Sequence, residues 1–288
     1  MKINIRSRMV TVRVHAKSSI LLGVALFSGV TCETMAQHFH LNAGAQSQAQ
    51  STPLYFQNGG SFGTNSGFVL PLAYATNGTY VGHFQSGALT LAAIGTGFTG
   101  APAPGTQVRV RFLGATGPVG GSFGVWDSDG ENEATALTFS IPVGTTTGVN
   151  SVLLSENAGQ PGADPGGHFH GRHYSATKPG LYAVTLQVYD AAGNGAGGGP
   201  IHTASAPLAI YFQAGITIAS LFRDDASVTL KFASRSGSSF YVQATGTPEN
   251  PGSWQDITGP RTGNLLQTVT DSVVSNPARF YRLRVTTP

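Results

Sequence analysis

The feature that most constrains the fold is a series of short runs in which apolar and polar residues alternate between turn-forming residues. Six such runs are flanked by Gly, Pro, Asn or Asp: Gly87–Ile94, Gln107–Leu113, Leu181–Tyr189, Ser227–Phe232, Phe240–Gln243 and Phe280–Val285. A period of two places every second side chain on one face of a strand. Helical periodicity is hard to find and glycine contributes 39 residues, so the sequence predicts an all-β fold of β-sandwich type.

The first 36 residues have the pattern of a secretory signal peptide rather than of a folded element. A basic segment with five Lys and Arg residues precedes the short apolar run that begins at Ile20–Phe27. Thr34 and Ala36 then place small residues at the −3 and −1 positions of a cleavage site. The sequence therefore predicts export after cleavage behind Ala36, to the periplasm, the medium or the cell surface, and no transmembrane segment in the mature chain.

Removing this segment changes the charge and the metal chemistry that the chain offers. It holds five of the 16 Lys and Arg residues and one of the 13 Asp and Glu residues, which leaves 11 basic and 12 acidic residues. No basic patch remains, so neither nucleic acid nor an anionic membrane is an expected partner. The only cysteine, Cys32, also leaves with the signal, and any transition-metal site must use His, Asp and Glu.

Two folded regions are expected after the signal peptide at 1–36. All seven histidines of the mature chain precede Ala214, and none follows it. We assign 37–213 to a histidine-containing, jelly-roll-like β-sandwich. The remaining segment, 216–288, has its own series of predicted strands around Trp254, and we assign it to a second, smaller module.

The second module carries a resemblance in the stretches "GSSFYVQATGTPENPGSWQDI" and "NPARFYRLRV". They resemble the fibronectin type III-like or immunoglobulin-like β-sandwich that is appended to many exported proteins of Verrucomicrobia and Planctomycetes. The resemblance covers about the last 70 residues and implies an accessory or spacer module. Aromatic side chains have the bulk to fill a core between two sheets, so we expect Trp254 and Phe280 to lie there.

The histidines of the first region occur in two clusters, "HFH" at 38–40 and "GGHFHGRHYS" at 166–175. Residues i and i+2 of a strand project from the same face, so His38 and His40 form one pair and His168 and His170 form another. Imidazole is a good ligand for zinc and copper, and two pairs could fill a four-coordinate site without thiolates. The first pair is either a mobile ligand arm or part of a docked first strand.

Three further histidines are weaker candidates for metal ligands. His173 is out of phase with the pair at 168 and 170, although it lies in the same cluster. His83 stands alone in the sequence, and His202 follows the glycine-rich stretch 197–199. The alternative for His83 and His202 is a solvated side chain or a structural hydrogen bond.

The stretch "GGHFHGRHYSATKPGLYAVTLQVYD" is similar to the H-x-H … P-G-x-Y element of the choice-of-anchor M domain, known from surface-anchored proteins of actinobacteria. Related exported proteins carry PEP-type sorting tails and occur in zinc-responsive gene sets. The resemblance implies an extracellular all-β domain associated with metal uptake, with the H-x-H histidines as ligands. The chain departs from that pattern where a Trp and a Phe usually stand, because it has His173, Tyr174 and Ala176 there.

Other chemistries compete for parts of the same sequence. Asp127, Asp129 and Glu131 lie in the densest acidic stretch and could bind calcium through carboxylate oxygens, although a solvated turn explains them as well. A cupin would use Gly162-x5-His168-x-His170, but the Glu that should follow is missing. A copper histidine brace would require cleavage directly before His38.

The sequence therefore predicts an exported, non-enzymatic metal-binding protein, with zinc or copper as the metal and metal-uptake components as possible partners. The alternative is an adhesive or carbohydrate-binding surface protein, whose sandwich presents aromatic side chains to a polymer. Exposure of Tyr80, Trp126 or Tyr174 on a flat face would favour that alternative.

Overall fold

The computed structural model describes residues 38–127, 135–169, 173–273 and 279–287. In it, 47% of the residues lie in strands and 6% in helices, which confirms the all-β prediction. The signal peptide assigned to 1–36 lies outside the described residues. So do His170 and two of the three acidic candidates, Asp129 and Glu131.

The first region contains thirteen strands and one short α-helix among the described residues. In chain order the strands are β1 (Phe39–Ala45), β2 (Leu54–Phe56), β3 (Val69–Tyr74), β4 (Phe84–Ser86), β5 (Leu89–Ala93), β6 (Val108–Thr116), β7 (Ser122–Trp126), β8 (Phe139–Pro142), β9 (Ser151–Leu153), β10 (Gly167–His168), β11 (His173–Ala176), β12 (Gly180–Asp190) and β13 (Leu208–Ala214). The helix α1 (Gly59–Phe62) and two 3-10 turns, Thr64–Ser66 and Ala196–Gly198, lie between strands.

These strands form two sheets around one apolar core. One sheet has four strands in the order β10-β5-β1-β2, and the other has nine in the order β8-β7-β11-β4-β3-β13-β12-β6-β9. The core takes Leu41 and Leu91 from the first sheet and Phe112, Tyr182 and Phe212 from the second. Apolar side chains from facing sheets thus share one interior, which is the packing of a β-sandwich.

Strand β12 shows how the alternating sequence produces this packing. Along Gly180–Asp190 the even-numbered residues are buried and the odd-numbered residues are partly exposed. The strand pairs with β13 on one side and with β6 on the other, antiparallel in both cases. All six runs predicted from the sequence are strands, with ends that differ by at most three residues.

Among its described residues, the second region contains six strands in two small sheets. They are β14 (Ile218–Arg223), β15 (Ser227–Ala233), β16 (Ser239–Thr245), β17 (Gln255–Asp256), β18 (Leu266–Ser272) and β19 (Phe280–Thr286). The sheets have the orders β14-β15-β18 and β17-β16-β19, and a 3-10 turn spans Pro251–Ser253. A separate core of Leu230, Phe232, Phe240, Val242 and Val269 lies between them.

The prediction that Trp254 and Phe280 fill this core is wrong. Phe280 is exposed, and Trp254 is half-buried outside the core, with its ring against the guanidinium of Arg282 at 4.3 Å. The large buried side chains are Phe232 and Phe240 instead. A cation–π contact and the long aliphatic stem of arginine let tryptophan pack on the outer surface of a sheet.

Both cores lie within one compact unit, Ala36–Pro288. Backbone hydrogen bonds join the regions, from Val69 N–H to the Asn264 carbonyl at 2.9 Å and from Leu266 N–H to the Gly67 carbonyl at 2.8 Å. The assignment of 37–213 and 216–288 as separate domains stays a prediction.

Candidate metal-binding site

The histidine pair at 38 and 40 lies at the start of a docked strand. Phe39 packs against the core, while His38 and His40 on either side of it are exposed. Their rings lie side by side, with centroids 4.7 Å apart. Zn–N bonds of about 2.0–2.1 Å hold two imidazole ligands with ring centroids roughly 5 Å apart, so the spacing of this pair is compatible with two ligands of one metal.

The side chain of Asn58 fixes the backbone of β1 next to this pair. Strand β2 pairs with β1 only from Ala43 onward, so the earlier part of β1 has no strand partner on that side. There the Asn58 amide donates to the His40 carbonyl at 2.7 Å, and its oxygen accepts from Asn42 N–H at 2.9 Å. One amide side chain therefore replaces two hydrogen bonds of a missing strand.

The second cluster reaches the same sheet through β10. His168 lies opposite Ala92 of β5, and Ala92 lies opposite Asn42 of β1. His40 lies two residues before Asn42, opposite Thr90. Side chains at these paired and i+2 positions project from one face of the sheet. We call the positions His38, His40, Asn42, Ala92 and His168 the histidine face.

The separation across the histidine face follows from sheet geometry. His168 and His40 are two strand spacings and one two-residue step apart, which places their Cα atoms roughly 12 Å from each other. After His168 the chain runs toward the end of the sheet that carries the first pair, because Phe169 N–H donates to the Leu91 carbonyl at 2.8 Å. The next residue is His170, which lies outside the described residues.

A carboxylate stands beside the ring of His168. The Nδ1 atom of His168 is 3.5 Å from Oε1 of Glu156. Nothing in the sequence pointed to Glu156, since it lies twelve positions before His168 in the chain, with a loop between them. Asn58 was also missed, because its role depends on where β2 stops pairing.

His173 and His83 belong to a different place in the fold. His173 lies on β11 in the nine-stranded sheet, where its ring stacks on Tyr80 with centroids 4.3 Å apart. Trp126 packs edge-on against Tyr80 at 4.9 Å and against His83 at 6.0 Å. Gly87 makes room for this arrangement, since a Cβ atom there would lie 2.9 Å from Cε1 of His173.

This cluster also bears on the carbohydrate alternative. Tyr80, Trp126 and Tyr174 are all buried, and the Trp126 indole donates to Ser175 Oγ at 2.8 Å. A sugar-stacking platform needs an exposed aromatic face. These three aromatic side chains therefore do not provide one.

His202 is a core residue with both ring nitrogens engaged. Its Nε2 accepts from the backbone N–H of Ala103 at 3.0 Å, and its Nδ1 donates to the Thr52 carbonyl at 2.9 Å. A ring nitrogen that accepts a hydrogen bond has no second lone pair for a metal. This geometry matches the structural hydrogen bond considered from the sequence.

Asp127 is the one described member of the acidic stretch proposed for calcium. Its backbone N–H donates to Thr138 Oγ1 at 2.7 Å, close to the end of β7. The calcium site proposed for Asp127, Asp129 and Glu131 stays a prediction.

Within the described ranges, no three His, Cys, Asp or Glu side chains converge in a group that could hold a metal ion. In the same ranges, no helix has the length and apolar character needed to cross a membrane. No protein-family model matches the chain, and no curated protein sequence matches it.

Proposed function

We propose that this chain is an exported, non-enzymatic protein that binds zinc or copper through His38, His40, His168 and His170. The observation that carries the proposal is the pair of exposed imidazoles at 38 and 40, whose ring centroids lie 4.7 Å apart on a docked strand. His40 lies on β1 and His38 directly precedes this strand, and two ligands that are already held close together lose less entropy on binding.

The second pair completes the site in this proposal. His168 lies on the histidine face two strands away from His40, at a Cα separation that two imidazole side chains leaning toward one another can just bridge. His170, the next residue but one, is proposed as the fourth ligand. Four neutral imidazoles without a thiolate favour zinc and copper over magnesium and calcium, which prefer oxygen ligands.

Several features support binding or delivery rather than catalysis. The chain offers no nucleophile motif and no Walker loop, and the Glu of the cupin pattern is missing after His170. The predicted signal peptide supports a location outside the cytoplasm, where metals are captured before uptake. The resemblance to zinc-responsive exported proteins supports the same role.

The proposal is tested by metal analysis of the purified mature chain. Protein refolded with equal zinc, copper, nickel and manganese, then dialysed, should retain about one zinc or copper per chain. The double variants H38A/H40A and H168A/H170A should each lose the metal and keep a wild-type circular dichroism spectrum. His83→Ala is the matched control, because its ring packs against Trp126 of the other sheet. Wild-type protein that is folded but retains no stoichiometric metal would overturn the proposal.

A further inference from the structure

We infer that Glu156 is a positioning residue for His168: its carboxylate holds the proton on Nδ1 and directs Nε2 to the metal. This inference rests on the proposed function, since it assigns an outer partner to one proposed ligand. It is carried by the 3.5 Å approach of Glu156 Oε1 to His168 Nδ1. Glu156 was not a candidate from the sequence, and its role adds a carboxylate partner to a site proposed from histidines.

The backbone around Glu156 is built to keep this carboxylate in place. Ser155 is buried, accepts from Val108 N–H at 2.7 Å and donates to the Pro165 carbonyl at 2.7 Å. Glu156 N–H donates to the Gly166 carbonyl at 2.9 Å. The first of these bonds ties the start of the loop to β6, and the other two tie it to Pro165 and Gly166, which lead into β10, so Glu156 and His168 are held as neighbours.

Gly167 allows the two segments to come this close. A Cβ atom at position 167 would lie 2.2 Å from the Leu154 carbonyl oxygen and 2.6 Å from the nitrogen of Glu156. Its φ of 147° is also one that residues with side chains rarely adopt. The glycine before His168 therefore has a specific structural purpose, which is to seat β10 against the segment that carries Glu156.

The contact has a chemical consequence for metal binding. A neutral imidazole carries one proton, and a carboxylate next to Nδ1 favours the tautomer with the proton on that nitrogen. The lone pair is then on Nε2, at the opposite edge of the ring. Partners of this kind fix ring orientation and raise ligand basicity, and losing one typically weakens metal binding about 10–100-fold. The side chains of His168 and Glu156 are 39% and 62% exposed, so changing Glu156 should leave the fold intact.

The tautomer of His168 can be measured without any metal. Long-range ¹H–¹⁵N spectra of the metal-free protein above pH 8 distinguish a protonated Nδ1 from a protonated Nε2. We expect the Nδ1–H form in wild type, a shift toward the Nε2–H form in Glu156→Ala, and retention of Nδ1–H in Glu156→Gln, whose side-chain oxygen still accepts. Glu249→Ala, at an exposed glutamate of the second region, is the control and should not change the tautomer.

Zinc competition against a chelator provides the second measurement. Glu156→Ala should weaken binding about 10–100-fold, and Glu156→Gln should weaken it less, whereas Glu249→Ala should bind as wild type does. An Nε2–H tautomer in wild type, or equal zinc affinity in wild type and Glu156→Ala, would refute the role of Glu156 while leaving the histidine site standing. Failure of the wild type to bind either zinc or copper would instead refute the proposed function, and the tautomer spectra would still decide whether Glu156 orients His168.

Discussion

The Nε2 atom of His202 accepts the backbone N–H of Ala103 at 3.0 Å, in a side chain that is only 1% exposed. The other ring nitrogen donates to the carbonyl of Thr52. These partners lie 99 and 150 residues away in sequence, so one imidazole joins three distant segments of the first sandwich. The neutral Nδ1–H tautomer satisfies all of its partners at once.

Replacing His202 with Ala should therefore destabilise the protein strongly. The substitution leaves the buried Ala103 N–H and the partly buried Thr52 carbonyl without their His202 partner and opens a cavity, at a cost of about 3–5 kcal/mol. Denaturant unfolding followed by tryptophan fluorescence measures this free energy. The half-buried His83 is the matched control, and His83→Ala should change the stability by about 1 kcal/mol or less. A His202→Ala protein as stable as His83→Ala would contradict the assignment.

The carboxylate of Asp190 provides a second, independent test of the same region. It accepts four backbone N–H groups, from Gln107, Ala192, Ile201 and His202, at 2.8–3.4 Å. Asn at this position keeps one acceptor oxygen and turns an amide NH₂ group toward two of the donors. We expect Asp190→Asn to cost about 2–4 kcal/mol in the free energy of unfolding. The exposed Asp225→Asn should be close to neutral, and equal stabilities of the two variants would argue against the network.

Local patterns predicted the strands, whereas long-range pairing decided the site. The alternation of Leu181–Tyr189 is contained in the run itself, so the strand followed from the sequence. His173 is only five residues from His168, yet it lies in the other sheet, because the chain crosses from one face of the sandwich to the other between β10 and β11. The contact between Glu156 and His168 depends on the close approach of two segments that Gly167 permits, and no periodic pattern in the sequence indicates that approach. The surface position of Trp254 follows from its stacking on Arg282, which no local pattern encodes.

Asn58 should control the order of the strand that carries the first histidine pair. In Asn58→Ala the N–H of Asn42 loses its acceptor, so we expect its amide hydrogen exchange to accelerate about tenfold, the effect of losing about 1–1.5 kcal/mol. Asn58→Asp retains an acceptor for Asn42 but no longer donates to the His40 carbonyl. It should therefore protect the Asn42 amide better than Asn58→Ala does. The exposed Asn65→Ala is the control. Unchanged exchange of the Asn42 amide in Asn58→Ala would show that the Asn58 side chain does not order this part of β1.

Tyr281 should make the stability of the second region depend on alkaline pH. Its hydroxyl donates to Asp271 Oδ2 at 3.0 Å, and Asp271 also pairs with Arg279. Burial of the phenol, followed by the hydrogen bond to Asp271 and the negative charge of that group, raises the pKa of Tyr281 to about 12. Because the folded-state pKa lies above the usual value of 10.0, the stabilisation is fully present below pH 10 and is lost as the pH rises toward 12.

This pH dependence can be measured against a variant that lacks the titrating group. Since Tyr281 is only partly buried, we expect the loss to be about 1 kcal/mol, below the value that the full shift would imply. Wild type and Tyr281→Phe are unfolded in urea at pH 8.5 and pH 11. The difference in unfolding free energy between them should shrink by that amount at the higher pH, because the phenylalanine variant has no proton to lose at this site. Tyr74→Phe, at an exposed tyrosine of the first region, should show no such change. A constant difference between wild type and Tyr281→Phe across this range would show that the hydrogen bond to Asp271 contributes nothing to stability.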